Sequence, residues 1–126
     1  MYIRSFQLSD SAPVTELLRE VLTEECCQET MAALTRQLSW DSELVVVAVE
    51  DELPVGIIIG TIEEGDGYFY RIAVHTDYQR RGIGRSLAKA LQARFEQRKV
   101  KSVKVTADEH NEPILPLYAA VGVAVG

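Results

Sequence analysis

Between Leu44 and Val74 three apolar, β-branched segments follow one another with only short turns between them, and this leaves few ways to fold. Leu44-Val45-Val46-Val47-Ala48-Val49 is too short for a typical helix and is closed by the acidic turn Glu50-Asp51-Glu52, so it reads as a buried strand. Pro54 to Ile62 reads as its hairpin partner, with Gly56 and Gly60 marking bulges or close backbone approach. The turn Glu63 to Gly67 then delivers a third strand, Tyr68 to Val74. Strands joined this tightly pair antiparallel, so the expected centre is a meander.

The flanking segments supply what covers it. Tyr2 to Phe6 reads as a short strand, followed by Ser9-Asp10-Ser11-Ala12-Pro13, which supplies an N-cap residue and a proline for a first helical turn. Val14, Leu17, Leu18, Val21 and Leu22 then fall on one helical stripe. A second helix is expected from about Glu25 to Leu38. After Val74 a loop, His75 to Arg81, enters a long helix ending near Arg98, with Ile83, Leu87, Leu91 and Phe95 recurring every four residues. Ser102 to Ala107 reads as a strand lying parallel to the third one through that crossover helix. A last helix is expected from Asn111 through Tyr118, kinked by Pro116. The fold class is α/β (α+β): a mixed, mainly antiparallel central sheet flanked by helices, with 126 residues forming a single domain.

Composition narrows the function. With 47% hydrophobic and 25% charged residues the chain is an ordinary globular one, no stretch reaches the ~20 apolar residues of a membrane span, and Met1 to Ser5 lacks a signal pattern. The cysteines, Cys26 and Cys27, are adjacent and form no metal or redox motif, which fits a cytoplasmic location. Residues 1–66 hold 14 acidic and 3 basic side chains, whereas residues 67–126 hold 5 acidic and 10 basic. No dense basic run suggests nucleic acid or a membrane surface, so the basic half points to a small anionic ligand.

Gln79-Arg80-Arg81-Gly82-Ile83-Gly84-Arg85 sits between a strand and a helix, where glycines permit close approach and the helix start offers unsatisfied N–H donors. Such a segment suits phosphate oxygens. A Walker loop, G-x-x-x-x-G-K-S/T, is absent, and the dinucleotide pattern fails at Leu87 and in its strand order, so ATP and NAD are disfavoured.

Gln79 to Gly84 matches Q/R-x-x-G-x-G/A at every defined position, and the sequence here resembles the GNAT superfamily of N-acetyltransferases. The resemblance takes in Ile72-Ala73-Val74 upstream, Asn111 with Leu117-Tyr118 downstream, Ile3-Arg4 with Asp10, and Pro54-Val55-Gly56. It implies acetyl-CoA as the acyl donor and a primary amine as acceptor, whether a small molecule or a peptide, with no metal and no covalent enzyme intermediate. Main-chain N–H groups from Arg81 through Gly82, Ile83 and Gly84 to Arg85 would hold the pyrophosphate, aided by arginine side chains. Ile72 and Val74 would offer main-chain groups to the pantetheine arm, and the Val74 N–H would meet the thioester carbonyl. Tyr118 would be the general acid for the departing thiolate, against the alternative of a core tyrosine. Asn111 would bond the pantetheine arm or cap the last helix.

No general base is evident. The strand before the loop, Tyr68 to Val74, has Arg71 as its one charged residue, where many relatives carry an acid. Glu63, Glu64, Asp66, His75 and His110 are the nearby candidates, each equally a solvated turn residue, and catalysis by positioning with water removing the proton is the alternative. The sequence also stops at Gly126, where relatives continue through two closing strands, so an exposed edge after Ala107 is expected, with a homodimer as one way to cover it. The acidic first half suggests a cationic acceptor. The rival to an enzyme is a CoA-binding module or truncated pseudoenzyme without turnover; nucleic-acid binding ranks last.

Overall fold

A computed structural model describes residues 1–123, arranged as five strands in one sheet: β1 (Tyr2–Ser5), β2 (Val45–Glu50), β3 (Leu53–Glu63), β4 (Asp66–Val74) and β5 (Val103–Val105). Their spatial order is their chain order. β1 to β4 pair antiparallel, and β5 joins β4 in parallel. The parallel step is made by helix α3 (Ile83–Gln97), as the change from strand to helix periodicity after Val74 predicts.

Every residue of β2 up to Val49 is buried because alternate side chains serve two separate cores. Val46 and Ala48, with Ile58, Phe69 and Ile72 from β3 and β4, pack against Leu87, Leu91 and Phe95 of α3 and Tyr118 of α4 (Leu115–Ala120). Val45, Val47 and Val49 turn the other way, onto Val14, Leu17 and Leu18 of α1 (Ser11–Val21) and Leu34 of α2 (Glu24–Trp40). The sheet is thus a middle layer, and its unbroken apolar run follows from being covered twice.

Gly60 shows why a strand of this sheet needs glycine. A side-chain carbon there would lie 2.8 Å from Phe95 Cζ and 2.9 Å from Leu91, and the ladder slips at the same place, leaving Tyr70 as the extra residue opposite Ile59 and Gly60. A bulge of this kind leaves its extra residue unpaired in the middle of β4.

Several local expectations are corrected. Asp10 makes no side-chain cap for α1; its buried carboxylate instead accepts from the Gln7 N–H at 2.8 Å and both Arg4 guanidinium nitrogens at 2.7 and 2.9 Å, fastening β1 to the turn. α2 runs from Glu24 to Trp40 rather than from about Glu25 to Leu38, its start set by the Thr23 hydroxyl, which accepts from Cys26 N at 3.2 Å. β5 stops at Val105 rather than Ala107. Pro116 does not kink the last helix: a tight 3-10 turn, Glu112–Ile114, precedes it, and Pro116 falls in the first turn, where its missing N–H has no partner to lose. No helix among the described residues is long and apolar enough to cross a membrane.

Candidate active site

The glycine loop is built to point donors outward. The His75 N–H returns to Val55 O at 2.8 Å, and the Gln79 side chain donates to Val74 O at 3.0 Å, so the loop folds back on the end of β4. Arg80 has φ 65, and Gly82, with φ 81, is the N-cap of α3 without any side-chain cap. The first N–H groups of α3 are therefore left to whatever lies before the helix, with the positive end of its dipole behind them. Ile83, 4% exposed, anchors the helix start in the core. Arg80, Arg81 and Arg85 stay exposed, and the Arg81 guanidinium lies 5.1 Å from the Tyr78 ring centre.

A cavity of about 750 Å³ opens at this point. One side is the end of β4, Arg71 to Val74; another is the loop and helix start, including Gln79, Arg80, Gly82, Ile83, Gly84 and Arg85. Val21 and Leu22 at the end of α1, Tyr78, His110, Ile114 and Leu117 close the remainder. Of the cofactor and catalytic residues expected from sequence, Ile72, Val74, Gln79, Arg80, Gly82, Ile83, Gly84 and Arg85 line it, whereas Arg81, Asn111 and Tyr118 do not; of the candidate bases, His110 does. Val21 and Leu22 escaped sequence reasoning because each is equally a core residue in the α1 stripe, and Ile114 because a short 3-10 turn carries no periodic signal; Leu117 entered only beside Tyr118 in the resemblance. A Gly84 side-chain carbon would come within 3.1 Å of Leu117 Cδ1 and 3.5 Å of Ile72 Cδ1, so this glycine lets the loop, β4 and α4 meet.

The ladder directs the backbone of β4. Because His75 bonds back to Val55, strict antiparallel alternation turns the N–H and C=O groups of Ile72 and Val74 away from β3, toward the side where β5 has already ended. The strands part after Thr106 N meets Phe69 O at 3.0 Å. Asn111 fills the opening: its side-chain N–H groups donate to Tyr70 O of β4 at 2.9 Å and to Thr106 O, just past the end of β5, at 2.8 Å. It does not cap the last helix.

Two buried polar atoms are left without a partner among the described residues, Asn111 Oδ1 and the Tyr118 hydroxyl. Tyr118 is fully enclosed, its ring 4.8 Å from that of Phe69, and burial pushes its phenol far above the usual value. Buried orphans of this kind are uncommon, and both belong to the segment beside the parted strands, fully enclosed and outside the lining of the cavity.

Beneath the cavity runs a network whose members are far apart in the chain. Arg71, 2% exposed, donates from Nε to Thr30 Oγ1 at 3.1 Å and from its two terminal nitrogens to Asp108 at 3.1 Å each. Burial opposes the charge on Asp108, but the guanidinium and the Asn111 and His110 N–H groups outweigh it and hold the carboxyl below its usual range. Arg71 stands where an acid was sought, and it is already paired.

Of the proposed bases, Glu63, Glu64 and Asp66 belong to the β3–β4 hairpin, at the opposite end of β4 from Val74, and Asp66 is engaged with Ser102 and Lys104. His75 has both ring nitrogens occupied, Nε2 by Glu20 at 3.1 Å and Nδ1 by the Asp77 N–H at 3.1 Å. His110 lines the cavity.

Comparison with known proteins bears on the same segments. The model of the acetyltransferase (GNAT) family matches residues 12–123. An acetyltransferase of Yersinia pestis is 27% identical over 118 residues, spanning 94% of this chain and 84% of that protein. Among solved structures, Ard1 of Thermoplasma volcanium aligns over 99% of this chain and 83% of its own, with a TM-score of 0.81 at 24% identity. The PaiA N-acetyltransferase of Thermoplasma acidophilum, in complex with coenzyme A, aligns over 99% and 90%, with a TM-score of 0.79 at 17% identity.

Proposed function

Because the chain belongs to the GNAT acetyltransferase family, we propose that this cavity binds acetyl-CoA and passes its acetyl group to a primary amine by direct attack. The observation that carries this reading is the uncapped start of α3 at Gly82, beside three exposed arginines, opening into the same cavity as the backbone of Ile72 and Val74. The N–H groups from Arg81 to Arg85 receive the pyrophosphate, and Arg80, Arg81 and Arg85 add charge. The main chain of Ile72 and Val74 receives the pantetheine arm as an added strand would. Val74 N–H faces the thioester carbonyl, where negative charge grows during attack.

Asn111 Oδ1 accepts from a pantetheine amide, which answers its missing partner, and Tyr118 donates to the departing thiolate. Burial keeps the phenol protonated, and because Tyr118 is enclosed outside the cavity lining, this role requires its segment to shift when the ligand binds. The acceptor is a small-molecule or peptide amine, and the acidic first half of the chain favours a cationic one. A homodimer, if formed, would add a strand at β5, the last strand among the described residues; a monomeric mass by light scattering removes that element alone.

The specific observation on the side of a CoA-binding module without turnover is that the described cavity lining contains no carboxylate. Free-thiol release from acetyl-CoA, measured with spermidine, lysine and alanine-terminated peptides against an enzyme-free control, separates the two readings. Release with at least one amine is the expected result. Stabilisation by CoA with no release from any amine would establish the module instead.

A further inference from the structure

Resting on the acetyl-transfer reading, we propose that His110 is the general base that takes the proton from the acceptor's ammonium. Attack on a thioester requires a neutral amine, whereas a lysine-like amine is protonated up to about pH 10, so the proton must leave, either to a group in the cavity or to water, and a positioned group speeds that step. Among the described residues that line the cavity, the titratable side chains are Arg71, Tyr78, Arg80, Arg85 and His110. Guanidinium groups do not give up their charge, and a phenol holds its proton at neutral pH. An imidazole alone ordinarily changes charge between about pH 5 and 8.

The placement of His110 is built, not incidental. Its backbone N–H donates to Asp108 Oδ1 at 3.0 Å, and the neighbouring Asn111 N–H donates to the same oxygen at 2.9 Å. Asp108 is fixed in turn by Arg71, and Arg71 by Thr30 of α2. The turn that carries His110 is therefore tied to β4 and α2 and, through the Asn111 side chain, to Tyr70 of β4 and to Thr106 just past the end of β5. His75, the other histidine, is held at both nitrogens by Glu20 and Asp77, whereas the His110 ring makes no hydrogen bond among the described residues. The charged groups around it are Arg71, Arg80 and Arg85 from the other walls, with Tyr78, and Asp108, Glu109 and Glu112 from its own segment. Arg71 and Asp108 are positioning residues, since they act through the turn.

The chemistry balances without a further reactant. One proton passes from the ammonium to the imidazole, and the freed lone pair forms the C–N bond at the thioester carbonyl carbon. The C–S bond then breaks, with its electron pair going to sulfur. The nitrogen loses its second excess proton as the amide forms, the thiolate gains one, and the imidazolium returns its own to water. Each turnover releases one proton, one amide and one thiol.

The test compares wild type with His110→Gln and His110→Ala, using thiol release with spermidine and with an alanine-terminated peptide from about pH 6 to 9, and thermal stabilisation by CoA as the control for folding and binding. Both variants are expected to keep the CoA stabilisation, to lose roughly 100-fold or more in kcat/KM at neutral pH, and to lose the limb of the pH profile that rises from the acid side. Added imidazole is expected to restore part of the rate in His110→Ala. Unchanged rates and profiles would overturn the proposal while leaving acetyl transfer standing. Loss of CoA stabilisation together with rate would overturn it as well, giving His110 a structural role. Wild type that releases no thiol with any amine would remove the acetyl-transfer reading and this proposal with it.

Discussion

A buried hydroxyl without a partner costs about 1–3 kcal/mol of desolvation, and Tyr118 has such a hydroxyl in a fully enclosed position. Tyr118→Phe removes the orphan and keeps the ring against Phe69. Ligand-free protein is therefore expected to gain up to about 1 kcal/mol in urea unfolding, while thiol release falls; a loss of stability would show that the hydroxyl has a partner in solution. Asp108 gives the opposite case. It neutralises Arg71, which is 2% exposed, and truncating one partner of a buried pair leaves the other charge uncompensated. Asp108→Ala is expected to cost about 3–5 kcal/mol, and Arg71→Met in that background to recover much of it, both read from urea midpoints.

At the scale of elements, the meander, the crossover helix and the two-sided burial of β2 were legible because each is written in a short window: alternation, turn residues, or a four-residue repeat. The glycine loop was legible for the same reason. What could not be read was set by partners far along the chain. Thr30, Arg71 and Asp108 are separated by 41 and 37 positions, and no local pattern announces that they meet. Asn111 looked like a cap because of where it stands, and only the parting of β4 from β5 gives its amide two better acceptors. Gly60 lies between the two cases, since it was read as a bulge or a close approach and the ladder does slip there, while the side chains that crowd it come from a distant helix. A side-chain carbon at that position would lie 2.8 Å from Phe95 and 2.9 Å from Leu91 of α3. Gly60→Ala is thus an overpacking substitution, expected to cost about 1–3 kcal/mol in chemical denaturation. Phe95→Leu should cost less in the Gly60→Ala background than alone, because the two changes share one space.

Over the whole molecule, the charge asymmetry between the chain's halves is partly consumed by the fold. Asp41 from the acidic half holds Arg98 at 2.8 Å, and Asp66 holds Lys104 at 3.2 Å, so part of the basic surplus pairs internally. Arg80, Arg81 and Arg85 enter no ion pair among the described residues, and they surround the loop where an anion is wanted. The same pairing fixes the response to acid. Arg98 lowers the Asp41 carboxyl, and Ser102 with Lys104 lowers Asp66. Burial pushes Asp10 and Asp108 up, but Arg4 and Arg71 outweigh it and both also end below the ordinary value of 3.8. A carboxylate depressed in the native state binds fewer protons than its unfolded counterpart, so stability falls as the pH falls. Its contribution is complete above the unfolded value and disappears through the lowered native one. The melting temperature is accordingly expected to be insensitive to these four groups from neutrality down to about pH 4 and to drop steeply below, in calorimetric scans. Arg4→Met leaves Asp10 buried without its cation, so this variant should melt lower at neutral pH and show a shallower fall in acid; an acid limb as steep as that of wild type would mean that Asp10 takes no part in it.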